Sequence, residues 1–159
     1  SADCYTAQMG LALLKLQQND YTTAINQFLQ IIEVNPDSDK AWSGLGIAYR
    51  KVDKIVESMD ALSNALNINV ENDTAMSQLI EISYEQNIFK QIELAINKYL
   101  DIHPTNINML FGLAGIQYKS KFFDDSQNTL TKILSLDPEN NDAIKMLEKI
   151  DIYTGQISN

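Results

Sequence analysis

The sequence predicts an all-α protein built from repeated helical hairpins, and three observations support this fold class. Pro36, Pro104 and Pro138 fall in one phase of a 34-residue period, in which Val70 is the interruption. Apolar residues recur at steps of three and four, the spacing that places them on one face of a helix. No segment keeps the apolar–polar alternation of a strand, and no Asn-Gly or Asp-Gly hairpin turn occurs in the sequence.

The period divides the chain into four units of 34 residues, at 5–38, 39–72, 73–106 and 107–140. Proline cannot continue the helix before it, and a Ser or Asn at the end of such a turn can cap the next helix. Each unit is therefore expected to contain two helices and to end in a turn. The unit-ending turns are Asn35-Pro36-Asp37-Ser38, Asn69-Val70-Glu71-Asn72, His103-Pro104-Thr105-Asn106 and Asp137-Pro138-Glu139-Asn140.

The second helix of each unit is expected to pack its apolar face on the first helix. Helices of about 12 to 15 residues are marginal alone in water, so neighbouring hairpins must stack to bury these faces. The second-helix stripes are Tyr21, Ala24, Phe28 and Ile31 in the first unit and Phe123, Ser126, Leu130 and Ile133 in the fourth.

The tail at residues 141–153 follows the fourth unit and has a helical pattern of its own. Ile144, Met146 and Leu147 alternate with charged residues, among them Lys145 and Glu148. This amphipathic segment is expected to be a capping helix, which covers the open core at the end of a repeat array.

The composition limits the kinds of partner that the chain is expected to bind. The chain has 159 residues, 45% of them hydrophobic, and its 12 basic and 21 acidic residues give a formal net charge of −9. This charge argues against binding nucleic acid or anionic lipid over a broad face. No apolar run approaches the roughly 20 residues of a membrane-spanning helix, so no direct membrane insertion is expected.

The sequence favours one cellular compartment and leaves others open. Residues 1–20 lack the basic start and apolar block of a signal peptide, which favours a cytoplasmic location. A periplasmic location, or membrane association through a segment outside these residues, stays open. The chain begins at Ser1 without an initiator Met, which leaves open whether it is a fragment of a longer protein.

The residues Trp42 to Tyr49 have the order W-x2-L-G-x2-Y, which is typical of the first helix of a known 34-residue repeat. Together with Ala24-x3-Phe28 and the phased prolines, this motif makes residues 5–153 resemble the tetratricopeptide repeat family. The resemblance implies a single domain over 1–159. Its implied fold is a right-handed superhelical solenoid of about four helix-turn-helix repeats with a C-terminal capping helix.

The third repeat departs from the family pattern in its side-chain volumes. Ile80 and Ile92 occupy positions at which the family favours small residues, and Ser83 is small where a large aromatic residue is usual. We interpret this as a compensating exchange of volume within one core. We therefore expect the third hairpin to differ from the second in spacing or angle.

The resemblance places binding on a concave surface formed by the first helix of each repeat. Steps of three, four and three from Thr6 define a second continuous stripe on the first helix, separate from the core stripe. Extended to the other repeats, this stripe predicts a partly apolar peptide groove. The candidate groove residues are Met9, Leu13, Leu16, Lys40, Ile47, Arg50, Lys51, Glu81, Tyr84, Phe111 and Tyr118.

The charges of this groove are expected to be separated. Arg50 and Lys51 would form a basic spot near one end, with Glu81 and Glu85 in the middle. An alternative interpretation is that several candidate residues pack inside the superhelix or against another copy of the chain.

These features predict a protein–protein interaction scaffold that captures a peptide segment or a partner helix. Self-assembly into a homo-oligomer is one alternative, and a docking domain of a larger enzyme or envelope complex is another. Some family members hold a C-terminal carboxylate with a Lys and Asn clamp. The matching positions here include Met9, Leu13 and Ile47, which cannot donate to a carboxylate, so that clamp is absent.

The sequence offers little support for catalysis, and no cofactor is expected. His103 is the sole histidine and lies in a unit-ending turn, where a structural role is favoured. With Cys4 as the sole cysteine, neither a metal cluster nor a Cys-His arrangement is recognisable. Asp124 and Asp125 fall at the start of a predicted helix, where negative charge favours the helix dipole. A non-enzymatic protein is therefore expected.

Overall fold

The computed structural model describes residues 2–155, with side chains from Cys4 onward. Within that range the chain forms helices and turns without strands, which confirms the all-α fold class. The ends of the predicted domain, Ser1 and residues 156–159, lie outside the described residues. The helices are α1 (Ala2–Gln17), α2 (Tyr21–Val34), α3 (Asp39–Lys51), α4 (Ile55–Ile68), α5 (Asp73–Gln86), α6 (Lys90–Ile102), α7 (Ile107–Lys119), α8 (Phe123–Leu136) and α9 (Asn141–Thr154).

The unit-ending turns cap the following helices as the sequence predicts. The Ser38 hydroxyl accepts a hydrogen bond from the Ala41 backbone N–H at 3.1 Å. The side chains of Asn72, Asn106 and Asn140 accept equivalent bonds from the third residue after each of them. These bonds satisfy N–H groups that have no partner within the helix, so they fix where α3, α5, α7 and α9 begin.

A second periodic feature lies in the turns inside the hairpins. Asn19, Asp53, Asn87 and Lys121 are spaced by 34 residues, and each has a positive φ between 56° and 65°. Asn and Asp tolerate this left-handed conformation better than most residues, and it ends a helix by turning the chain sharply. The first helix of each hairpin therefore stops at the same place in the period to within one residue.

The structure divides into two compact units, one up to Ala95 and the other from Ile96 onward. In the first unit, α2 packs between α1 and α3, and α4 packs between α3 and α5. The ring of Phe28 is fully buried in a core with Ile31, Leu45 and Ala48. Gly44 permits this packing, because a Cβ atom at that position would overlap the Phe28 ring.

Trp42, the first residue of the W-x2-L-G-x2-Y motif, lies at the edge of the first-unit core. Its ring is partly buried against the first-unit core, and its Nε1–H donates to the Pro36 carbonyl at 2.9 Å. Truncation of Trp42 to Ala is therefore expected to cost less than the about 3–5 kcal/mol of a fully buried aromatic ring. The ring lies at the edge of the core because its indole N–H donates to a carbonyl at the unit-ending turn.

The second unit contains the end of α6 and helices α7, α8 and α9. Leu130, Ile133 and Ile150 are fully buried there. The tail helix α9 extends over Asn141–Thr154, one residue beyond the predicted end, and packs on α8. Gly155 ends it in the left-handed conformation, with φ of 76°. The predicted amphipathic capping helix is present, since Ala143 and Ile150 are buried while Lys145 and Glu148 are exposed.

A buried serine closes the hairpin in two repeats. The Ser58 hydroxyl donates to the Gly46 carbonyl at 2.7 Å, and the Ser126 hydroxyl donates to the Ala114 carbonyl at 2.8 Å. Gly46 also permits close approach, because a Cβ there would lie 2.7 Å from Leu62 Cγ. Each hydroxyl therefore joins the second helix of its hairpin to the first.

The third repeat has Ile92 in place of this serine, and its own buried serine is unsatisfied. Ile92 is fully buried, as is Ser83, whose hydroxyl has no hydrogen-bond partner among the described residues. The exchange of volumes between Ile92 and Ser83 thus falls at buried positions. The altered spacing or angle of the third hairpin stays a prediction.

This contrast predicts opposite effects for one substitution at two buried serines. Ser58→Ala should lower the free energy of unfolding by about 1 kcal/mol, because it removes a buried hydrogen bond. Ser83→Ala should be neutral or should raise it by up to about 1 kcal/mol, because it removes a hydroxyl that is desolvated without a partner. Urea unfolding monitored by circular dichroism measures both variants, and equal losses would contradict the prediction. Both sites are helical, so the change in helix propensity is matched.

Candidate peptide-binding cavity

The first unit contains a cavity of about 480 Å³ between α1, α3 and α5. Residues of α1, α3 and α5 line it, together with the turn that joins α4 to α5. Four of the sequence-predicted groove residues line this cavity: Met9, Leu13, Lys40 and Ile47. The other lining residues are Asp39, Ser43, Gly44, Asn69, Glu71, Asn72, Asp73 and Thr74.

The apolar part of the cavity comes from one helical stripe on α1 and one on α3. Met9 and Leu13 are one turn apart on α1, so their side chains lie on the same face. Met9 is buried and also belongs to the first-unit core, whereas Leu13 is 44% exposed. Ile47 is half-buried on α3. Leu13 and Ile47 are thus the apolar groups available to a bound molecule.

A hydrogen-bonded network fixes the polar side of the cavity. One oxygen of Asp39, Oδ2, accepts from the Asn69 side chain at 2.9 Å and from the Asn72 side chain at 2.8 Å. The Asn72 side chain also donates to the Ser43 hydroxyl at 2.9 Å, and Ser43 in turn donates to the Asp39 carbonyl at 2.8 Å. The α4–α5 turn is therefore tied to the start of α3, so this wall is preformed.

Carboxylates outnumber cationic groups around the cavity. Asp39, Glu71 and Asp73 line it, with Lys40 as the cationic lining residue. The potential in the cavity is therefore negative, which favours a cation beside an apolar group. The sequence interpretation did not include Asp39, Asn69, Asn72 or Asp73, because it considered stripe positions and treated the turn residues as caps.

Comparison with known proteins supports the fold. No protein-family model and no curated protein matches the sequence. Among solved structures, YrrB, described as "a TPR protein with an unusual peptide-binding site", matches with a TM-score of 0.63 and 16% identity over 93% of this chain and 76% of its own. MamA matches with a TM-score of 0.67 and 14% identity over 98% of this chain and 85% of its own.

This chain has the tetratricopeptide repeat fold. A further match is the structure of Naa15/Naa10 bound to HypK-THB, with a TM-score of 0.74 and 18% identity. It covers 91% of this chain but 23% of the matched chain, so the tetratricopeptide repeat likeness there concerns part of a larger protein.

The basic spot expected at Arg50 and Lys51 is only partly basic in the structure, because Arg50 is paired with carboxylates. Arg50 donates to Glu81 and Glu85 at 2.7 Å each, and to the Gln78 side chain at 2.9 Å. These bonds join α3 to α5 across adjacent repeats. The hydrogen bond to Glu81 is the main cause that raises the pKa of Arg50. Two carboxylates therefore balance the Arg50 charge, which leaves the exposed Lys51 as the other cation of the expected spot.

Leu16 and Tyr84 lie in the first unit but do not line the cavity. Leu16 is partly buried and packs against the first-unit core, as the alternative interpretation allowed for some candidates. Tyr84 is 43% exposed, and its ring meets the Phe89 ring edge-on at 5.3 Å between centroids. Partial burial raises the pKa of Tyr84.

Phe111 and Tyr118 belong to the second unit, and both are half-buried on α7. The Tyr118 ring meets the Phe123 ring edge-on at 5.6 Å, and Lys149 Nζ lies 5.1 Å from the Tyr118 ring centroid. The Phe123 ring and Lys149 thus cover part of the Tyr118 ring.

The residues without a predicted site role are placed as the sequence suggests. Asp124 and Asp125 lie in the first turn of α8. The His103 ring packs on the Tyr99 ring at 4.7 Å between centroids. Over residues 2–155, no group of three or more His, Cys, Asp or Glu side chains is arranged to hold a metal ion, and none of the described helices is long and apolar enough to cross a membrane.

Proposed function

We propose that this chain is a protein-interaction module, and that the first-unit cavity binds a peptide segment in which an apolar side chain neighbours a basic one. The observation that carries the proposal is the cavity itself, which places the exposed Leu13 beside Ile47 under an acidic wall. The fold supports a binding role, as do two structural neighbours, YrrB with its peptide-binding site and Naa15/Naa10 bound to HypK-THB. We infer a scaffold rather than an enzyme.

The apolar side and the acidic side of the cavity contribute to peptide binding in different ways. Full burial of one Leu or Phe side chain is worth about 1.5–3 kcal/mol, so one apolar residue supplies useful affinity. A Lys or Arg beside it faces the acidic side of the cavity, which includes Asp73. The Asp39 network holds the wall in place before binding, so little ordering is needed when the peptide enters.

The test is selection of random peptides displayed on phage against the purified chain. We expect enriched peptides to carry an aromatic or aliphatic residue next to Lys or Arg. Synthetic versions of these peptides should bind Leu13→Asp at least about tenfold more weakly, since a charge in the apolar part of the cavity removes the anchor contact. Isothermal titration calorimetry measures the dissociation constants.

The chain offers a matched control on the same helix. Leu11 is 47% exposed, close to the 44% of Leu13, but it is two residues earlier on α1 and so faces another direction, about 200° away. Leu11→Asp should leave peptide binding unchanged. Equal binding to parent and Leu13→Asp, or an equal loss in both variants, would place the contact outside the cavity and contradict the proposal.

A further inference from the structure

A second apolar surface lies on α1, on a side distinct from the cavity. Ala7, Gly10, Leu11 and Leu14 form it at steps of three, one and three, and we call these four residues the outer face of α1. All four are exposed, with Leu11 at 47% and Leu14 at 46%. Two large aliphatic side chains half in water on one helical face form an apolar surface that lacks cover within the described residues.

The internal repeat shows what covers the equivalent surface elsewhere. Thirty-four residues later in the sequence, the outer face of α1 corresponds to Ala41, Gly44, Leu45 and Ala48 on α3. All four of these residues are buried, and Ala41 and Ala48 are 0% exposed. Two helices pack on α3, namely α2 and α4, and α2 supplies the Phe28 ring that lies over Gly44. The same side-chain pattern is thus buried by neighbouring helices in one repeat and exposed in the other.

The glycine in this pattern identifies the kind of side chain that sits on it. At Gly44 the Phe28 ring occupies the place that a Cβ atom would take. In the second unit the fit at Gly112 is looser, because a Cβ atom there would make an ordinary van der Waals contact with Ile96 Cδ1 at 3.9 Å. Gly10 falls in the same phase of the period, yet nothing lies within 4 Å of the place its Cβ would take. Gly10 thus leaves space for a large side chain, and no described residue fills it. We call this space the seat at Gly10.

The neighbours of Gly10 in the structure do not explain why a glycine occupies this position of the helix. Glycine is unfavourable in the interior of a helix because it exposes the backbone and costs conformational entropy. At Gly44 the close packing of the Phe28 ring accounts for the residue, whereas Gly10 is exposed in the middle of α1. A helix docked on the outer face of α1 would account for Gly10, Leu11 and Leu14 together.

We propose that the outer face of α1 binds an amphipathic helix of a partner protein that carries a Phe or a similarly large apolar residue over Gly10. The template is α2, which packs on both α1 and α3 and whose buried residues are Ala24, Phe28, Ile31 and Ile32. The partner helix should therefore present a small residue, a large ring four residues later, and aliphatic residues three and four positions after the ring. This surface is separate from the cavity, so the proposal does not depend on the proposed peptide binding.

The probe for this proposal is a synthetic peptide with the sequence of residues 20–35, which contains α2 and its caps. Added at millimolar concentration to ¹⁵N-labelled full chain, it should shift amide resonances of α1. The same peptide with Phe28→Ala should bind at least about tenfold more weakly, because it lacks the anchoring ring. Shifts confined to α3, or no shifts in α1, would overturn the proposal.

Variants of the chain separate this surface from the cavity. Leu11→Asp should abolish the response to the helical peptide, and Leu13→Asp should preserve it, the reverse of the pattern expected for the phage-selected peptides. Gly10→Ala should also weaken binding of the helical peptide while raising the midpoint of thermal unfolding, because the added methyl group fills the seat and favours the helix. Unchanged binding to Gly10→Ala would contradict the role of the seat.

Light scattering over a range of concentrations tests whether a second copy of the chain, rather than a partner helix, covers the outer face of α1. A chain that stays monomeric with α1 accessible is the expected result. Concentration-dependent dimerisation that Leu11→Asp abolishes would overturn the proposal, because it would assign the outer face of α1 to a second copy of the chain.

Discussion

Phe28→Ala is expected to lower the free energy of unfolding by about 3–5 kcal/mol, the range for truncating a fully buried aromatic side chain. Phe28 is 0% exposed and lies where α2 packs on α3. Its removal would leave a cavity lined by residues such as Leu45 and Ile31, which a rigid helical pair cannot fill completely. Urea unfolding monitored by circular dichroism at 222 nm measures the loss.

Phe122 supplies the matched control for this substitution. It is 55% exposed and precedes α8 without a side-chain capping bond, so Phe122→Ala should change the free energy of unfolding by less than about 1 kcal/mol. A loss of similar size in both variants would mean that general hydrophobicity, rather than the packing of Phe28, determines stability.

The period of 34 residues allowed the helix order and the capping residues to be predicted from sequence. Ser38 and Asn72 follow directly, because a helix start leaves backbone N–H groups that a short polar side chain satisfies locally. Such bonds depend on neighbours three residues away. The similarity to solved tetratricopeptide repeat structures agrees with this interpretation of the motif, whereas the extent of a single domain stays a prediction.

The contacts among the charged residues of the predicted groove could not be predicted in the same way. Arg50 lies 31 residues from Glu81 and 35 from Glu85, so their bonds depend on how α3 and α5 approach each other. A helical stripe indicates which residues share a face, but it does not give the distances between helices. The Asp39 network with Asn69 and Asn72 was missed for the same reason, since it joins a helix start to a turn of the same repeat.

Gly44→Ala is expected to destabilise the chain by about 1–3 kcal/mol, although Ala is the better helix former, because overpacking a well-packed core forces neighbours out of place. The methyl group would overlap the Phe28 ring, and that ring is enclosed on all sides. The matched substitution Gly10→Ala places the same methyl group in open space, and it should raise the free energy of unfolding by about 0.5–1 kcal/mol. Urea unfolding of both variants tests the difference in sign, and destabilisation by both would contradict it.

The double variant Phe28→Ala with Gly44→Ala tests whether the ring is the cause. Once the ring is absent, the methyl group added by Gly44→Ala has room, so this substitution should no longer destabilise and should recover part of the lost stability. The coupling free energy between the two substitutions should therefore lie within the range of about 0.5–3 kcal/mol that double-mutant cycles give for contacting residues. Additive effects would show that the cost of Gly44→Ala comes from the helix backbone rather than from contact with Phe28. The same result would remove the reason to regard Gly10, its counterpart on α1, as a seat for an aromatic side chain.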